Sequence, residues 1–306
     1  MKQKTLYKTA FTLLTATSLL AGCSGDDFNG GGTVSSKSNS ITFNTNVSNF
    51  ISKAATYDND AALQAEREFT CTAYNAGTIT AYTGPTQVEW TGEKWQYVAG
   101  SSHDWPGTSA LDFFAYMPAT KPGYITSISY ATARQPQFVC NLPSEQPNTV
   151  KEFICALATN QTKADNPDGV SMQFKHHFAK LLFKLAPASG SNVKINSVKI
   201  DGIKMSGTCS FDGTTSTWTP SGDNTYVMAT AIDGTTPYLV IPNTYAIGAV
   251  TITVNATWTS ISGVTTNKTA TNKAALTWNP GYSYLFTLTL SGDALVVNTE
   301  KWAEQM

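Results

Sequence analysis

Charged residues are scarce in this chain of 306 residues. Asp, Glu, Lys and Arg together make up 13% of the sequence, about half of the share usual in soluble domains. The 20 basic residues nearly balance the 21 acidic ones, so the formal net charge is −1. A nucleic-acid binder carries a basic surplus, and the balance therefore argues against that class. Hydrophobic residues account for 41%, which is enough to build a sizeable core.

Histidine is also rare, with only His103, His176 and His177 present. The last two are adjacent in a predicted strand, so their side chains point to opposite faces and cannot chelate one metal together. A zinc site needs three or four converging ligands, and no third ligand has a recognisable spacing here. The sequence predicts no metal site. We expect one histidine of the pair to be buried and hydrogen-bonded and the other to be solvated.

The sequence lacks the usual signatures of catalysis and cofactor binding. No Gly-x-Ser-x-Gly elbow, dinucleotide fingerprint or P-loop is present. The few acidic residues occur mostly in turn motifs such as Asp168-Gly169 and Asp233-Gly234. Spacing alone leaves open a pair of carboxylates for glycoside hydrolysis, because such pairs converge only in the fold. We predict no enzymatic activity, no catalytic residue and no cofactor.

The amino terminus has the organisation of a secretory signal. Lys2, Lys4 and Lys8 precede an apolar stretch over 9–20, which is too short to span a bilayer. Leu20-Ala21-Gly22-Cys23 resembles the lipobox of bacterial lipoproteins. That resemblance implies a signal peptide over 1–22 and an acylated Cys23 as the first mature residue. The Gly- and Ser-rich stretch 23–40 is predicted to be a flexible tether, and its acidic residues resemble a surface-export tag of Gram-negative lipoproteins.

Along the mature chain the hydrophobic pattern has a period of two residues. Short alternating segments are bounded by Gly, Pro, Asn or Asp, which is typical of an all-β sandwich. The one helix candidate is Asp60–Glu68, one or two turns long. The segments with the clearest alternation are 41–44, 69–74, 127–130, 193–200, 238–241, 250–258 and 284–290.

The longest predicted strand runs through 170–185 without interruption. Pro187, Ser189, Gly190 and Ser191 follow it and indicate a domain joint. The sequence therefore predicts an N-terminal β-sandwich over 41–188 and a C-terminal β-sandwich over 189–306.

Four cysteines besides Cys23 leave two alternatives open. Cys140 and Cys155 flank a turn-rich stretch and could face each other in a disulfide, which an oxidising periplasm permits. Cys71 and Cys155 lie in apolar alternation and could equally be buried thiols; Cys209 is the fourth. We expect free thiols. The seven tryptophans are dispersed, and we expect them to fill the core rather than form a platform for sugars.

Several segments in order along the chain resemble the fimbrillin family, the type V pilin subunits of Gram-negative anaerobes. They extend from the lipobox at Cys23 to Trp302 and cover nearly the whole mature chain. The remaining segments are Ile41-Thr42-Phe43, Lys53-Ala54-Ala55-Thr56, Trp105-Pro106, Leu111–Pro118, Phe174–Lys180, Tyr238–Asn243 and Trp278–Tyr284.

The resemblance implies two transthyretin-like β-sandwich domains in tandem, without catalytic activity, that assemble by strand exchange. In this family a protease removes the N-terminal segment with its first strand, here the strand of Ile41 and Phe43. The family's cut commonly follows an Arg, whereas the matching residue here is Lys53; Arg67 is the next candidate. An uncut, lipidated subunit would suit an anchor of the fibre, and a cut one would suit its stalk or tip.

A neighbouring subunit's C-terminal strand then fills the vacated groove. The corresponding segment here holds Leu295, Val296 and Val297, and we predict it to be the donor strand or the last strand of a sheet. Expected partners are other pilin subunits and, through acylated Cys23, the lipid of the outer membrane, with no nucleic acid. The expected location is a surface fimbrium, with the receptor left open. The alternative function is a surface glycan-binding lipoprotein of a nutrient-uptake system.

Overall fold

The chain is almost entirely β-structure, as the sequence predicts. A computed structural model describes residues 38–47, 57, 59–147, 150–186, 192–259, 263–291 and 294–302. The elements are β1 (Thr42–Val47), α1 (Asp60–Glu66), β2 (Glu68–Asn75), β3 (Thr86–Trp90), β4 (Trp95–Tyr97), β5 (Leu111–Met117), β6 (Ile125–Thr132), β7 (Gln135–Asn141), β8 (Ile154–Gln161), β9 (Val170–His176), β10 (Ala179–Leu185), β11 (Asn192–Ile203), β12 (Ser206–Phe211), β13 (Ser216–Ser221), β14 (Thr225–Ala229), β15 (Tyr238–Val240), β16 (Asn243–Thr259), β17 (Thr265–Trp278), β18 (Ser283–Ser291) and β19 (Ala294–Trp302).

The short helix lies where the sequence predicts it. The side chain of Asn59 caps its first turn by accepting a hydrogen bond from the amide of Ala62. Leu63 is buried, and the helix ends where Arg67 adopts a left-handed conformation with φ 67°. The prediction of one helix of one or two turns is confirmed.

Seven strands close into a barrel in the order β1-β4-β3-β2-β5-β8-β9, and β9 pairs with β1 to complete the ring. Most neighbours in this barrel are antiparallel, whereas β1 and β9 are parallel. The interior holds a continuous apolar cluster that includes Phe43, Phe69, Phe113 and Phe174. Each of these residues alternates with more exposed neighbours or lies in a strand buried on both faces.

The other strands form three four-stranded sheets around a second apolar cluster. Their orders are β15-β10-β18-β19, β14-β11-β16-β17 and β13-β12-β7-β6. The last of these sheets joins strands from both halves of the sequence, because β7 pairs with β12. The division into two tandem transthyretin-like sandwiches, with a boundary near 188, stays a prediction.

The prediction of one uninterrupted strand over 170–185 is wrong. The strand stops at His176 in the barrel and resumes at Ala179 in the sheet of β15 and β18. At the break, the carbonyl of Phe178 accepts a hydrogen bond from Gly281 (3.0 Å) and the amide of Lys180 donates to Tyr282 (2.9 Å). The residues before and after the break are both buried, so the apolar pattern of the sequence continues across it. The pattern therefore does not show where the chain passes from one sheet to another.

Candidate functional site

The first strand, β1, lies between two partners in the barrel wall. It pairs antiparallel with β4 through Thr42 and Phe43, opposite Gln96 and Trp95. On its other side it pairs parallel with β9 over five successive positions that start at Phe43. Because both edges of β1 are hydrogen-bonded, its removal would leave two unpaired strand edges at once.

The inward side of the chain is buried at the start of β1, at Phe43 and at Ile41 just before the strand. Ile41 and Phe43 are each 1% exposed. The ring of Phe43 meets three aromatic rings edge to face, at centroid distances of 5.7 Å to Phe69, 5.3 Å to Tyr97 and 5.7 Å to Phe113. Edge-to-face pairs of this kind stabilise a core beyond the area that they bury. Both residues that the resemblance assigns to the exchangeable strand therefore lie in the barrel core.

Pairing begins before the strand proper. Asn39 and Trp105 exchange hydrogen bonds, from the Trp105 amide to the Asn39 carbonyl (3.0 Å) and from Asn39 Nδ2 to the Trp105 carbonyl (3.3 Å). The amide of Ile41 donates to the carbonyl of His103 (2.9 Å). The last two residues of the stretch predicted as tether, 39 and 40, thus already make contact with the barrel.

Further contacts hold the outer side and the end of β1. Asn44 Nδ2 donates to the carbonyl of Asp168 (3.2 Å), and the amide of Val47 donates to the carboxylate of Asp60 (3.3 Å). Gly169, at φ 118°, lies against the backbone of β1, so that a Cβ there would be 3.1 Å from the amide nitrogen of Phe43. Only glycine allows this close approach at such a φ.

The two candidate processing residues differ in what the structure shows of them. Lys53 lies outside the described residues, as does Cys23. Arg67 is exposed, but its amide donates to Gln64 (3.2 Å) and its carbonyl accepts from Trp90 (2.9 Å). Arg67 therefore lies in a hydrogen-bonded helix end rather than in an extended segment.

The C-terminal segment forms β19, the edge strand of its sheet, paired antiparallel with β18 along its whole length. Val296 is 49% exposed, and Val297 packs partly buried against the second core. The backbone of Leu295 pairs with Leu290. The predicted last strand of a sheet is therefore present, whereas its role as a donor stays a prediction.

A buried group of charged side chains lies at the junction of β9 and β10. Glu152 Oε2 is 2.8 Å from both His176 Nδ1 and Lys180 Nζ, and all three side chains are at most 1% exposed. His176 Nε2 donates to the carbonyl of Tyr57 (3.2 Å). Burial raises the pKa of Glu152, but the charges of His176 and Lys180 and their hydrogen bonds outweigh it and lower the pKa to about 2.

The expectation that one histidine of the pair is solvated is wrong, because both are buried. His177 Nδ1 is 2.7 Å from Ser216 Oγ, and its ring packs against Phe138 and Phe211. Burial lowers the pKa of His177 to about 3, so the ring is neutral at pH 7. Because the strand ends at His176, the side chain of His177 enters the second core. The prediction of one continuous strand could not show this.

The four described cysteines, Cys71, Cys140, Cys155 and Cys209, are buried free thiols. The Cys140–Cys155 disulfide that the sequence leaves open is therefore not formed. Burial raises the pKa of each thiol, to about 12 for Cys140. Thiols held protonated in this way are poor nucleophiles and serve as core packing.

The described residues offer little for a metal, a membrane or a sugar platform. They contain no group of three or more His, Cys, Asp and Glu side chains that could hold a metal ion. None of the helices among them has the length and apolarity needed to cross a bilayer. Among the side chains that the structure describes, Tyr82 is the one exposed aromatic residue. These side chains therefore form no row of exposed rings for stacking on a glycan.

Solved structures share this fold. A fimbrial protein from Bacteroides vulgatus is similar to 86% of this chain and 99% of its own, with a TM-score of 0.59 and 14% identity. Two candidate cell adhesion proteins, from Bacteroides uniformis and Bacteroides ovatus, have TM-scores of 0.53 and 0.52 and identities of 17% and 16%. The alignments cover 86% and 87% of this chain and 98% of each of those chains. No curated protein sequence matches the chain significantly.

The fold places the chain among β-rich proteins of the same architecture, one of which is the fimbrial protein from Bacteroides vulgatus. The model of the fimbrillin-like family matches residues 32–302, and the chain belongs to that family. It is a cell-surface fimbrial protein that associates with other pilin subunits, and it is not an enzyme. The resemblance to the fimbrillin family is thereby confirmed.

Proposed function

We propose that this protein is a fimbrial subunit that joins its neighbours by strand exchange, with β1 as the strand that is replaced. The observation that carries the proposal is the position of β1, which is hydrogen-bonded on both sides and supplies Ile41 and Phe43 to the barrel core. A strand from another subunit would satisfy both exposed edges through main-chain hydrogen bonds and fill the emptied pockets with alternate side chains.

The chain order favours β1 as the exchanged strand. As the first strand of the barrel, it can leave without changing any other strand pair. The six remaining strands stay paired with one another in the order β4-β3-β2-β5-β8-β9. A cut near Lys53 would free β1 and retain Tyr57, whose carbonyl accepts the hydrogen bond from His176. A cut after Arg67 would remove Tyr57 and the buried Leu63 as well, so we favour Lys53.

The donor in this scheme is the C-terminal segment with Leu295, Val296 and Val297. As an edge strand with a partly exposed face, β19 can leave its sheet at a lower cost than a strand paired on both sides. The precursor reaches the outer membrane through acylation of Cys23. Retention of β1 and the lipid would make the subunit an anchor, and removal of both would make it part of the stalk or tip.

The test is deletion of residues 294–306 in cells that produce the fimbriae, with deletion of 303–306 alone as the matched control. We expect the longer deletion to remove this subunit from SDS-resistant ladders obtained after mild heating, while the protein remains folded and at the surface. The shorter deletion leaves β19 complete and should preserve the ladders. Ladders that still contain the subunit without residues 294–306 would refute its donor role.

A further inference from the structure

The buried side of β1 has a distinctive pattern that any replacement strand must reproduce. Ile41, Phe43, Thr45 and Val47 alternate with outward-facing residues, and Ile41, Phe43 and Val47 are buried. The hydroxyl oxygen of Thr45 is buried as well and makes no hydrogen bond among the described residues. The groove therefore presents four successive positions, of which the second holds an aromatic ring.

The second position is shaped for an aromatic side chain. Phe69, Tyr97 and Phe113 surround the Phe43 ring, with interplanar angles of 80°, 82° and 86°. An aliphatic residue would lose these three edge-to-face contacts and leave part of the pocket empty. Because protein interiors tolerate voids poorly, a strand without an aromatic residue here is a weak occupant.

One face of this chain's own C-terminal strand has no aromatic residue. In the direction of β1, Leu295, Val297 and Thr299 would match the first three positions, and Lys301 would take the position of Val47. The pocket of Phe43 would then hold the smaller Val297. In the opposite direction, Lys301 would take the buried position of Ile41. Either direction thus combines an underfilled aromatic pocket with a lysine at an apolar position.

The other face carries an aromatic residue in the wrong surroundings. Trp302 is flanked at the alternate positions by Glu300 and Glu304. Whichever direction the strand takes, placing Trp302 in the pocket of Phe43 puts one carboxylate at the position of Ile41 and the other at that of Thr45. Ile41 is 1% exposed, and an unpaired carboxylate at such a site is strongly unfavourable.

We propose that the groove beneath β1 accepts a strand of a different subunit and rejects the C-terminal strand of another copy of this chain. The accepted strand carries a branched apolar residue, an aromatic residue, a small residue of about the size of Thr45, and a second branched apolar residue at successive alternate positions. This inference rests on the proposed strand exchange and adds its specificity: the protein joins unlike subunits, and pure copies of it do not form fibres.

The experiment uses the full mature chain with a specific protease site in place of residues 50–55, cut after folding. Fluorescent peptides are then added, and replacement of β1 is followed by anisotropy. One peptide copies residues 38–48, a second is the same peptide with Phe43→Val, and a third copies residues 292–306. The fourth carries Val297→Phe and Lys301→Val in the third peptide, which gives it Leu, Phe, Thr and Val at alternate positions.

We expect the copy of 38–48 to exchange and the Phe43→Val peptide to bind about tenfold more weakly or worse. The copy of 292–306 should bind more weakly still, and its doubly substituted form should recover at least about tenfold, since both defects are repaired. Binding of the native 292–306 peptide within threefold of the 38–48 peptide would overturn the specificity while leaving strand exchange intact. If no peptide exchanges, even the copy of 38–48, the proposed strand exchange fails and the specificity fails with it.

Discussion

His176 and Glu152 meet inside the protein, with 2.8 Å between Nδ1 and Oε2 and both side chains buried. Both ring nitrogens of His176 face acceptors, Nδ1 the Glu152 carboxylate at 2.8 Å and Nε2 the Tyr57 carbonyl at 3.2 Å. Through its Nε2, His176 joins the end of β9 to Tyr57, which precedes α1. It thereby ties the segment between β1 and β2 to the place where the chain leaves the barrel.

Glu152→Gln is expected to destabilise the protein by about 3–5 kcal/mol at pH 7, because His176 and Lys180 would lose a buried counter-charge. Since the folded pKa of Glu152 is about 2 and lies below the ordinary value of 4.5, its stabilisation is present above pH 4.5 and is lost as the pH falls towards 2. The wild type should therefore lose stability in this range, and the variant should lose less. Urea denaturation at several pH values measures both effects.

The matched control is Asp201→Asn, which breaks the half-exposed Lys199–Asp201 pair (2.7 Å). This change should cost no more than about 1 kcal/mol. Equal losses for the two variants at pH 7 would show that the buried group has no special weight.

His177→Phe is expected to remove a different part of the pH dependence. The pKa of His177 is about 3 in the folded protein against 6.5 in the unfolded chain, so between these values the unfolded chain binds more protons and stability falls as the pH is lowered. From pH 6.5 to 4.5 the wild type should lose on the order of 2 kcal/mol more than the variant, which lacks this contribution. Ser216→Ala, which removes the hydroxyl partner but keeps the histidine, should retain the pH dependence. Identical profiles for wild type and His177→Phe would contradict the assignment.

Phe43→Ala should lower the free energy of unfolding by about 3–5 kcal/mol, because it empties an aromatic pocket in the barrel core. Asn44→Ala, at the next and exposed position of the same strand, removes only side-chain hydrogen bonds to residues 168 and 169. Its expected cost is about 1 kcal/mol or less. Chemical denaturation of the two variants compares them directly, and similar costs would mean that β1 contributes little to the core.

Cys23→Ala is expected to abolish acylation and surface anchoring without affecting the β-structure. Incorporation of a clickable fatty acid in cells measures the first effect, and thermal unfolding of the purified protein measures the second. Cys71→Ala serves as the control, since that thiol is buried and should leave labelling unchanged. A Cys23→Ala protein that is labelled as strongly as the wild type would exclude lipidation at this residue.

Sequence alternation predicts the positions of several strands. The alternations at Phe69–Tyr74 and Tyr284–Leu290 correspond to β2 and β18, and the polar turns between strands also lie where Gly and Asp indicate them. Long-range pairing has no comparable signal. The parallel contact of β1 with β9 joins residues more than 120 positions apart, and nothing local marks it.

The buried charged group shows a second limit of the sequence. In the sequence, Glu152, His176 and Lys180 each resemble an ordinary polar residue next to apolar neighbours. Their mutual contacts can be recognised only in the structure, where β9 and β10 belong to different sheets. Lys180, within the apolar run 178–183, is the available hint, because a lysine is rarely buried without a partner. A period-of-two pattern cannot show that they share one site.

The pairing of β1 also determines how a strand in its place responds to force. Hydrogen bonds to β4 and β9 run across the strand, so tension along its axis loads the bonds on both sides together. By contrast, β19 is joined to a single neighbour, and tension at its end opposite Ser283 can break its bonds one after another. If the proposed exchange takes place, the same segment would be easier to peel from its own sheet than to pull out of a partner's barrel, where its bonds on both sides must shear together.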